Sequence, residues 1–207
     1  MPEAGNPEKV GLLAHKPANM TYAQAAAVPG GGLTALGFLR KANLRKGQTV
    51  LVYGASGSVG TYALQLARYY DTQVTAVCST TNLEMVASLG ADQVIDYTQE
   101  DFSKNGECYD VIFDAVGKLT GSEYKKSLKP GGSFLSIKGT IRPVLEDLIF
   151  LKELVEAGKL KAVIDRTYPL EQVVEAHYYV EQGHKKGNVV ILVDQDGSHR
   201  VEKKTGA

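Results

Sequence analysis

The sequence predicts an α/β fold, a doubly wound parallel sheet with helices on both faces. Three observations predict it. From Thr49 onward, short apolar or β-branched runs alternate with amphipathic segments of helical period. A turn of small residues from Gly54 to Gly60 joins the first such run to the segment after it. Glycine is in excess at 22 of 207 residues, about 11% against a usual 7%. The rest of the composition is ordinary for a globular chain, with 43% hydrophobic and 22% charged residues and 23 basic against 23 acidic ones. At about 150 residues per domain, the length corresponds to one domain, or one domain and part of another. Zero net charge gives no field for nucleic acid or an anionic membrane, so neither is an expected partner. Two cysteines, Cys78 and Cys108, are too few for a disulfide scaffold or a four-ligand zinc site. They suit a reducing compartment, with the cytoplasm as the expected location. No apolar run reaches the roughly 18 residues of a membrane span, and residues 1–6 lack the pattern of a signal peptide.

Residues 2–19 read as irregular. Thr21 and Gln24 have the spacing of a capping box that opens an alanine-rich helical turn, which Pro29 is expected to end. Gly30, Gly31 and Gly32 then break the chain, and a second helix is expected over 33–42. Arg45-Lys46-Gly47 turns into the first strand, expected over 49–53. Further strands are expected over 73–78, 93–96, 111–114 and 133–137, apolar without alternation and therefore buried on both faces. Helices over 58–70, 82–89 and 121–128 supply the crossovers, with Gly90 capping the second. After Gly139 the pattern gives a helix over 143–157, a strand over 162–167, a helix over 171–182 and a strand over 188–193. The polar tail, 194–207, is expected to fray.

The segment Val50 to Gly60 runs from a buried strand through small residues into a helix, which is the setting a dinucleotide fingerprint requires. The fingerprint falls on Ala55-x-Gly57-x-x-Gly60, with alanine in the place of the first glycine. Gly57 would let the backbone approach a pyrophosphate, the helix amides would point at it, and Gly60 would let helix and strand pack closely. A tight turn alone would use the same spacing; the series of βα units behind it favours binding. Gly54, Ser56, Ser58 and Val59 complete the candidate loop. The second strand ends in Ser79-Thr80-Thr81, where an NAD site would carry Asp or Glu. A carboxylate would repel a 2′-phosphate and hydroxyls can donate to one, so the expected cofactor is NADP(H), with NAD(H) less favoured. Ser79 and Thr80 have a second reading, as caps of the next helix. Ala115 and Val116 after the fourth strand, with Ser136 and Ile137 at the end of the fifth, could line the nicotinamide half.

These residues resemble the zinc-independent NADPH:quinone oxidoreductase-like branch of the medium-chain dehydrogenase/reductase family. The matching stretches are Tyr22 to Pro29 with Gly32-Leu33-Thr34-Ala35, Gly54 to Gly60, Ser88 to Tyr97, and Gly183 to Val190. Together they span about residues 10–193 in family order. The resemblance implies a Rossmann fold with remnants of a GroES-like catalytic domain at both ends. It divides the chain into a catalytic-domain remnant (1–20), a dinucleotide-binding domain (21–160), a segment returning to the catalytic domain (161–193) and the polar tail (194–207). It places Tyr97 against the adenosine side and Thr34, Ala115, Val116 and Ile137 toward the nicotinamide. It implies hydride transfer from NADPH to a quinone or activated alkene, without metal. Two departures stand out. Most of the N-terminal catalytic domain of the family is lacking, and the passage 138–146 is short where the family commonly has another helix and an edge strand that pairs subunits. A homodimer, or a partner that supplies the missing domain, is what this leaves. Arg or Lys often stands beside the Ser-Thr pair in this branch, and Thr81 fills that place here.

No residue is nominated as catalytic. His15, His177, His184 and His199 show no metal spacing, and neither His-Glu-x-x-His nor Cys-x-x-Cys occurs, so no metal is expected. A hydrolase nucleophile elbow at Ser56 fails by one position. Two functions therefore compete: an NADP(H)-dependent quinone or enone reductase, and a catalytically silent dinucleotide-binding module from a truncated or split gene.

Overall fold

The computed structural model describes residues 12–193. Five parallel strands form the main sheet in the order β3-β2-β1-β4-β5: β1 Thr49–Tyr53, β2 Gln73–Cys78, β3 Gln93–Asp96, β4 Tyr109–Asp114 and β5 Leu128–Ser136. The expected doubly wound sheet is therefore present. Helices α1 (Tyr22–Ala42), α2 (Ser58–Tyr69), α3 (Leu83–Ala87) and α5 (Leu145–Glu156) contribute to the larger apolar layer, around Leu36, Val50, Val52, Tyr62, Phe113 and Leu151. The opposite face is a smaller cluster, with Leu51, Val77 and Ile112 under Phe102 and under Tyr124 of α4 (Gly121–Ser127). Strands β1, β2 and β4 are buried along nearly their whole length, as their unbroken apolar sequences require. β5 lies at the edge and is half-exposed. Its Lys129 to Gly132 stretch bulges away, so that pairing with β4 resumes at Ser133.

The largest departure from the sequence expectation is α1. Pro29 does not end the helix and Gly30 to Gly32 do not break it: one 21-residue helix runs from Tyr22 to Ala42 with Pro29 inside. The capping box of Thr21 and Gln24 forms as expected. Gly31 and Gly32 are seats for neighbouring side chains, whereas Gly30 faces open space. A Cβ at Gly31 would stand 2.6 Å from Ser58 Oγ and 2.9 Å from the Tyr62 ring, and one at Gly32 would meet Leu151 at 3.1 Å. Burial of Ala27, Val28, Ala35, Leu36, Phe38 and Leu39 along the same face outweighs local costs of about 1 kcal/mol per glycine and about 3 for proline. The second crossover helix is also shorter than expected, a 3-10 turn over Thr80–Asn82 followed by α3.

Beyond α5, β6 (Ile164–Pro169) and β7 (Asn188–Leu192) pair in parallel as a separate two-stranded sheet, with α6 (Val173–Glu181) between them. The frayed tail expected over 194–207 and residues 2–11 of the irregular segment lie outside the described residues. No helix of the described chain is long and apolar enough to cross a membrane.

Candidate functional site

The strands of the main sheet end level. Tyr53 stands opposite both Val77 and Asp114, Cys78 opposite Asp96, and Asp114 opposite Ser136. The segments that follow, Gly54 to Gly60, Ser79 to Thr81, Tyr97, Ala115 with Val116, and Ile137, therefore share the carboxyl edge, where open α/β sheets take ligands. Thr34 lies one helical turn before Phe38, whose ring packs at the position a Gly139 Cβ would approach to 3.1 Å. Its hydroxyl is already spent on the Gly30 carbonyl at 2.8 Å.

The glycine loop is shaped by its backbone. Gly54 has φ +77°, and the amides of Gly54 and Ala55 donate to the Val77 carbonyl at 3.0 and 2.9 Å, fixing the loop to β2. A Cβ at Gly60 would stand 2.1 Å from the Gly54 carbonyl oxygen and 2.8 Å from Ala55 Cα, so helix and strand meet only because this residue has none. Gly57 differs. Its Cβ would meet only the Gly54 carbonyl oxygen, at an ordinary 3.5 Å, so internal packing leaves the site open to other residues. Gly57 is the N-cap of α2 and supplies no side-chain cap, and no acidic residue occupies the first turn. The Ser58, Val59 and Gly60 amides find no acceptor among the described residues. Bare backbone at the amide end of a 12-residue helix is what a diphosphate requires.

Ser58 has a free amide but not a free hydroxyl. Its Oγ donates to Asn188 Oδ1 at 2.5 Å, while Asn188 Nδ2 donates to the Val163 carbonyl at 3.0 Å. The Gly187 amide donates to the Ser56 carbonyl at 2.7 Å. The start of β7 thus braces the loop from outside, and Ser56 and Ser58 are held by it. A cleft of about 340 Å³ lies here, lined by Ala27, Gly31, Ser58, Val59 and Asn188. A larger cleft, about 490 Å³, is lined by Gln65, Arg68, Asp71, Leu89 and Lys159. It opens at the turns leading into β2 and β3, the far end of the sheet, and Arg68 there is paired with Asp92 at 3.1 Å.

At the β2 and β3 ends, Tyr97 is half-exposed with its ring 6.5 Å from that of Tyr53, and its amide donates to the Cys78 carbonyl. Thr80 donates to Asp96 at 2.5 Å, which, with the bonds from Thr98, holds the Asp96 carboxyl below its usual range. Burial pushes the Cys78 thiol up to about 11. At the β4 end, Asp114 is 1% exposed and accepts the amides of Val116 at 3.1 Å, Gly117 at 2.7 Å and Leu119 at 3.0 Å, tying the turn into a fixed loop. Val116 packs directly on Gly54, where a Cβ would be 2.1 Å from its Cγ2. The Ile137 amide donates to the Asp114 carbonyl at 3.1 Å. Asp96, Asp114 and Asn188 carry much of this geometry; sequence reasoning placed Asp114 in a turn that could line the nicotinamide half and assigned no role to the other two. Asp96 and Asn188 sat within the resembling stretches, which was the one signal available.

Family models decide the kinship. The zinc-binding dehydrogenase model matches residues 58–163, more than half of the chain, and a second model of the same description matches 138–191. The chain belongs to the zinc-binding dehydrogenase family. Within that family it is 40% identical to the 2-methylene-furan-3-one reductase of Solanum lycopersicum and 38% identical to the chloroplastic NADPH-dependent alkenal/one oxidoreductase of Arabidopsis thaliana. Both matches cover 87% of this chain but 49% and 50% of the relatives, so this dehydrogenase-family chain spans about half their length. The mitochondrial NAD(P)H oxidoreductase RTN4IP1 of Homo sapiens is 34% identical, with 87% of this chain and 58% of the relative covered. The solved structure of the quinone oxidoreductase from Coxiella burnetii superposes with a TM-score of 0.80 at 30% identity, over 87% of this chain and 64% of that one. The quinone oxidoreductase-like kinship and the Rossmann-type sheet expected from the sequence both stand.

Proposed function

We propose that the chain binds NADP(H) on the loop from Gly54 to Gly60 and is the coenzyme-binding part of a reductase acting on quinones or activated alkenes. The observation that carries this reading is the uncapped amide end of α2 above the bare backbone of Gly57. The relatives named for alkenal/one, furanone and quinone reduction support the substrate class, and those named for NADPH or NAD(P)H support the coenzyme. Bound NADPH would supply a hydride equivalent. The chain's own residues would position it: the Ser58, Val59 and Gly60 amides hold the diphosphate, and the helix dipole adds about 0.3 to 1 kcal/mol. Tyr97 offers a ring to the adenosine side. Val116 and Ile137, pinned through Asp114, form an apolar floor for the nicotinamide and keep water from it.

Among the described residues, no three His, Cys, Asp or Glu come together. The reading assigns residues 21–160 to the coenzyme domain and 161–193 to a segment returning to the catalytic domain, a division that the separate β6-β7 sheet supports. The two unpaired cysteines support a reducing compartment, a condition that cytoplasm, chloroplast stroma and mitochondrial matrix all meet. The test is titration of the purified chain with NADPH, followed by nucleotide fluorescence and thermal shift, then NADPH oxidation with 9,10-phenanthrenequinone. Binding is expected. Binding with turnover identifies a reductase complete in this chain, binding without turnover identifies its coenzyme-binding part, and absence of binding overturns the reading.

A further inference from the structure

The turn after β2 and the end of β3 share a carboxylate that nothing in the glycine loop uses. Asp96 is 9% exposed and pairs in register with Cys78, one residue before the Ser79 to Thr81 turn. Its Oδ2 accepts from Thr80 Oγ1 at 2.5 Å, and its Oδ1 accepts from the Thr98 amide at 2.9 Å and Thr98 Oγ1 at 2.7 Å. No lysine or arginine among the described residues forms an ion pair with it.

The proton count at this cluster is decisive. An ionised carboxylate only accepts, and each threonine hydroxyl has one proton to give. Asp96 takes both. Thr80 Oγ1 and Thr98 Oγ1, 2.9 Å apart, are therefore left as acceptors; Thr98 Oγ1 already takes a proton from Gln99 Nε2 at 3.2 Å, and Thr80 Oγ1 keeps lone pairs for a ligand, beside a carboxylate with no ion-pair partner among the described residues. Ser79 Oγ accepts from Asn82 Nδ2 at 3.0 Å and lies 3.4 Å from Thr81 Oγ1, so these two hydroxyls pair with each other at the rim of the turn. A ribose 2′-hydroxyl brings a proton and suits those lone pairs. A 2′-phosphate brings acceptors and about −1.5 to −2 charge, and suits them badly.

We propose that Asp96 is the specificity-determining residue of this turn: by drawing the hydroxyl protons of Thr80 and Thr98 to itself, it holds down the preference for NADPH over NADH. The inference rests on the coenzyme reading above and sharpens it. The hydroxyl-lined turn is a poorer 2′-phosphate site than its sequence suggests, and NADH binds nearly as well.

The experiment measures dissociation constants of NADPH and NADH for the full chain, Asp96→Asn and Thr80→Val, each at low and high salt. The wild-type affinities are expected to lie within about tenfold of each other. Asp96→Asn is expected to tighten NADPH at least about tenfold at low salt while NADH shifts less than about threefold, with the gain shrinking as salt rises. Thr80→Val removes a proton that the coenzyme never receives, so NADPH affinity should hold within about threefold. An Asp96→Asn ratio equal to the wild type, a wild-type ratio above about tenfold, or a Thr80→Val loss confined to NADPH would each overturn the inference. If circular dichroism shows Asp96→Asn unfolded, the Thr80→Val result decides. Coenzyme binding with an unchanged ratio sinks this inference alone, whereas no binding of either nucleotide to the wild type sinks the coenzyme reading and this inference with it.

Discussion

Two glycines three positions apart do different jobs, and substitution separates them. At Gly60 the missing Cβ is a structural demand, because any side chain would run into the Gly54 carbonyl and the Ala55 backbone. Gly60→Ala is expected to cost about 3 kcal/mol or more, read as a lower urea midpoint with or without nucleotide. At Gly57 the fold makes no such demand. Gly57→Ala should leave stability within about 1 kcal/mol and weaken NADPH about tenfold, because the methyl enters the diphosphate's space. Equal losses of stability in both variants would remove the distinction. This loop was legible in the sequence because a backbone requirement is written directly as glycine. Asp96, Asp114 and Asn188 were not. A buried carboxylate that organises a turn has the same letter as a solvated one, and only the register of neighbouring strands brings Asp96 beside Thr80.

At the scale of elements, β1 and β2 have the bounds their sequences predict, since a strand buried on both faces has to be largely apolar and turns must flank it, and the edge strand β3 keeps its predicted bounds although Gln93 is exposed. α1 shows the opposite case. Proline and glycine are local signals, and here the packing of α2 and α5 against Gly31 and Gly32 overrides them. The same reasoning separates the helix's two kinds of breaker. Pro29 is exposed and removes an intrahelical bond, so Pro29→Ala is expected to stabilise the chain by about 1 kcal/mol. Gly31→Val would force Ser58 and Tyr62 aside and should destabilise by about 2 kcal/mol while loosening the loop. Thermal melts of the two variants moving in the same direction would contradict this account of α1.

For the whole molecule, the carboxylates set the acid limit. Asp110 feels burial pushing its affinity for protons up, but the Thr49 amide and hydroxyl at 2.8 and 2.9 Å and Lys129 at 2.9 Å overcome this and hold it below the usual value of 3.8. Asp96 is lowered as well, by the Thr80 hydroxyl foremost. A lowered folded value means that the stabilisation is complete above the unfolded value near 3.8 and drains away as pH falls through the folded one. The urea midpoint should therefore be flat from neutrality to about pH 5 and drop below about pH 4, and Asp110→Asn should lower the plateau by about 1 kcal/mol and flatten the drop. A midpoint that kept rising down to pH 3 would contradict it. The bracing of the glycine loop by β7 bears on how the molecule is made. Ser58 bonds to a residue 130 positions later, and the Gly187 amide closes on Ser56. At about 5 to 20 residues per second, the ribosome needs roughly 7 to 26 seconds after making Ser58 before it delivers that brace. The nucleotide grip is thus finished only once β7 has been made, and coenzyme would lend its stabilisation to chains that have reached β7, leaving shorter products exposed to proteolysis.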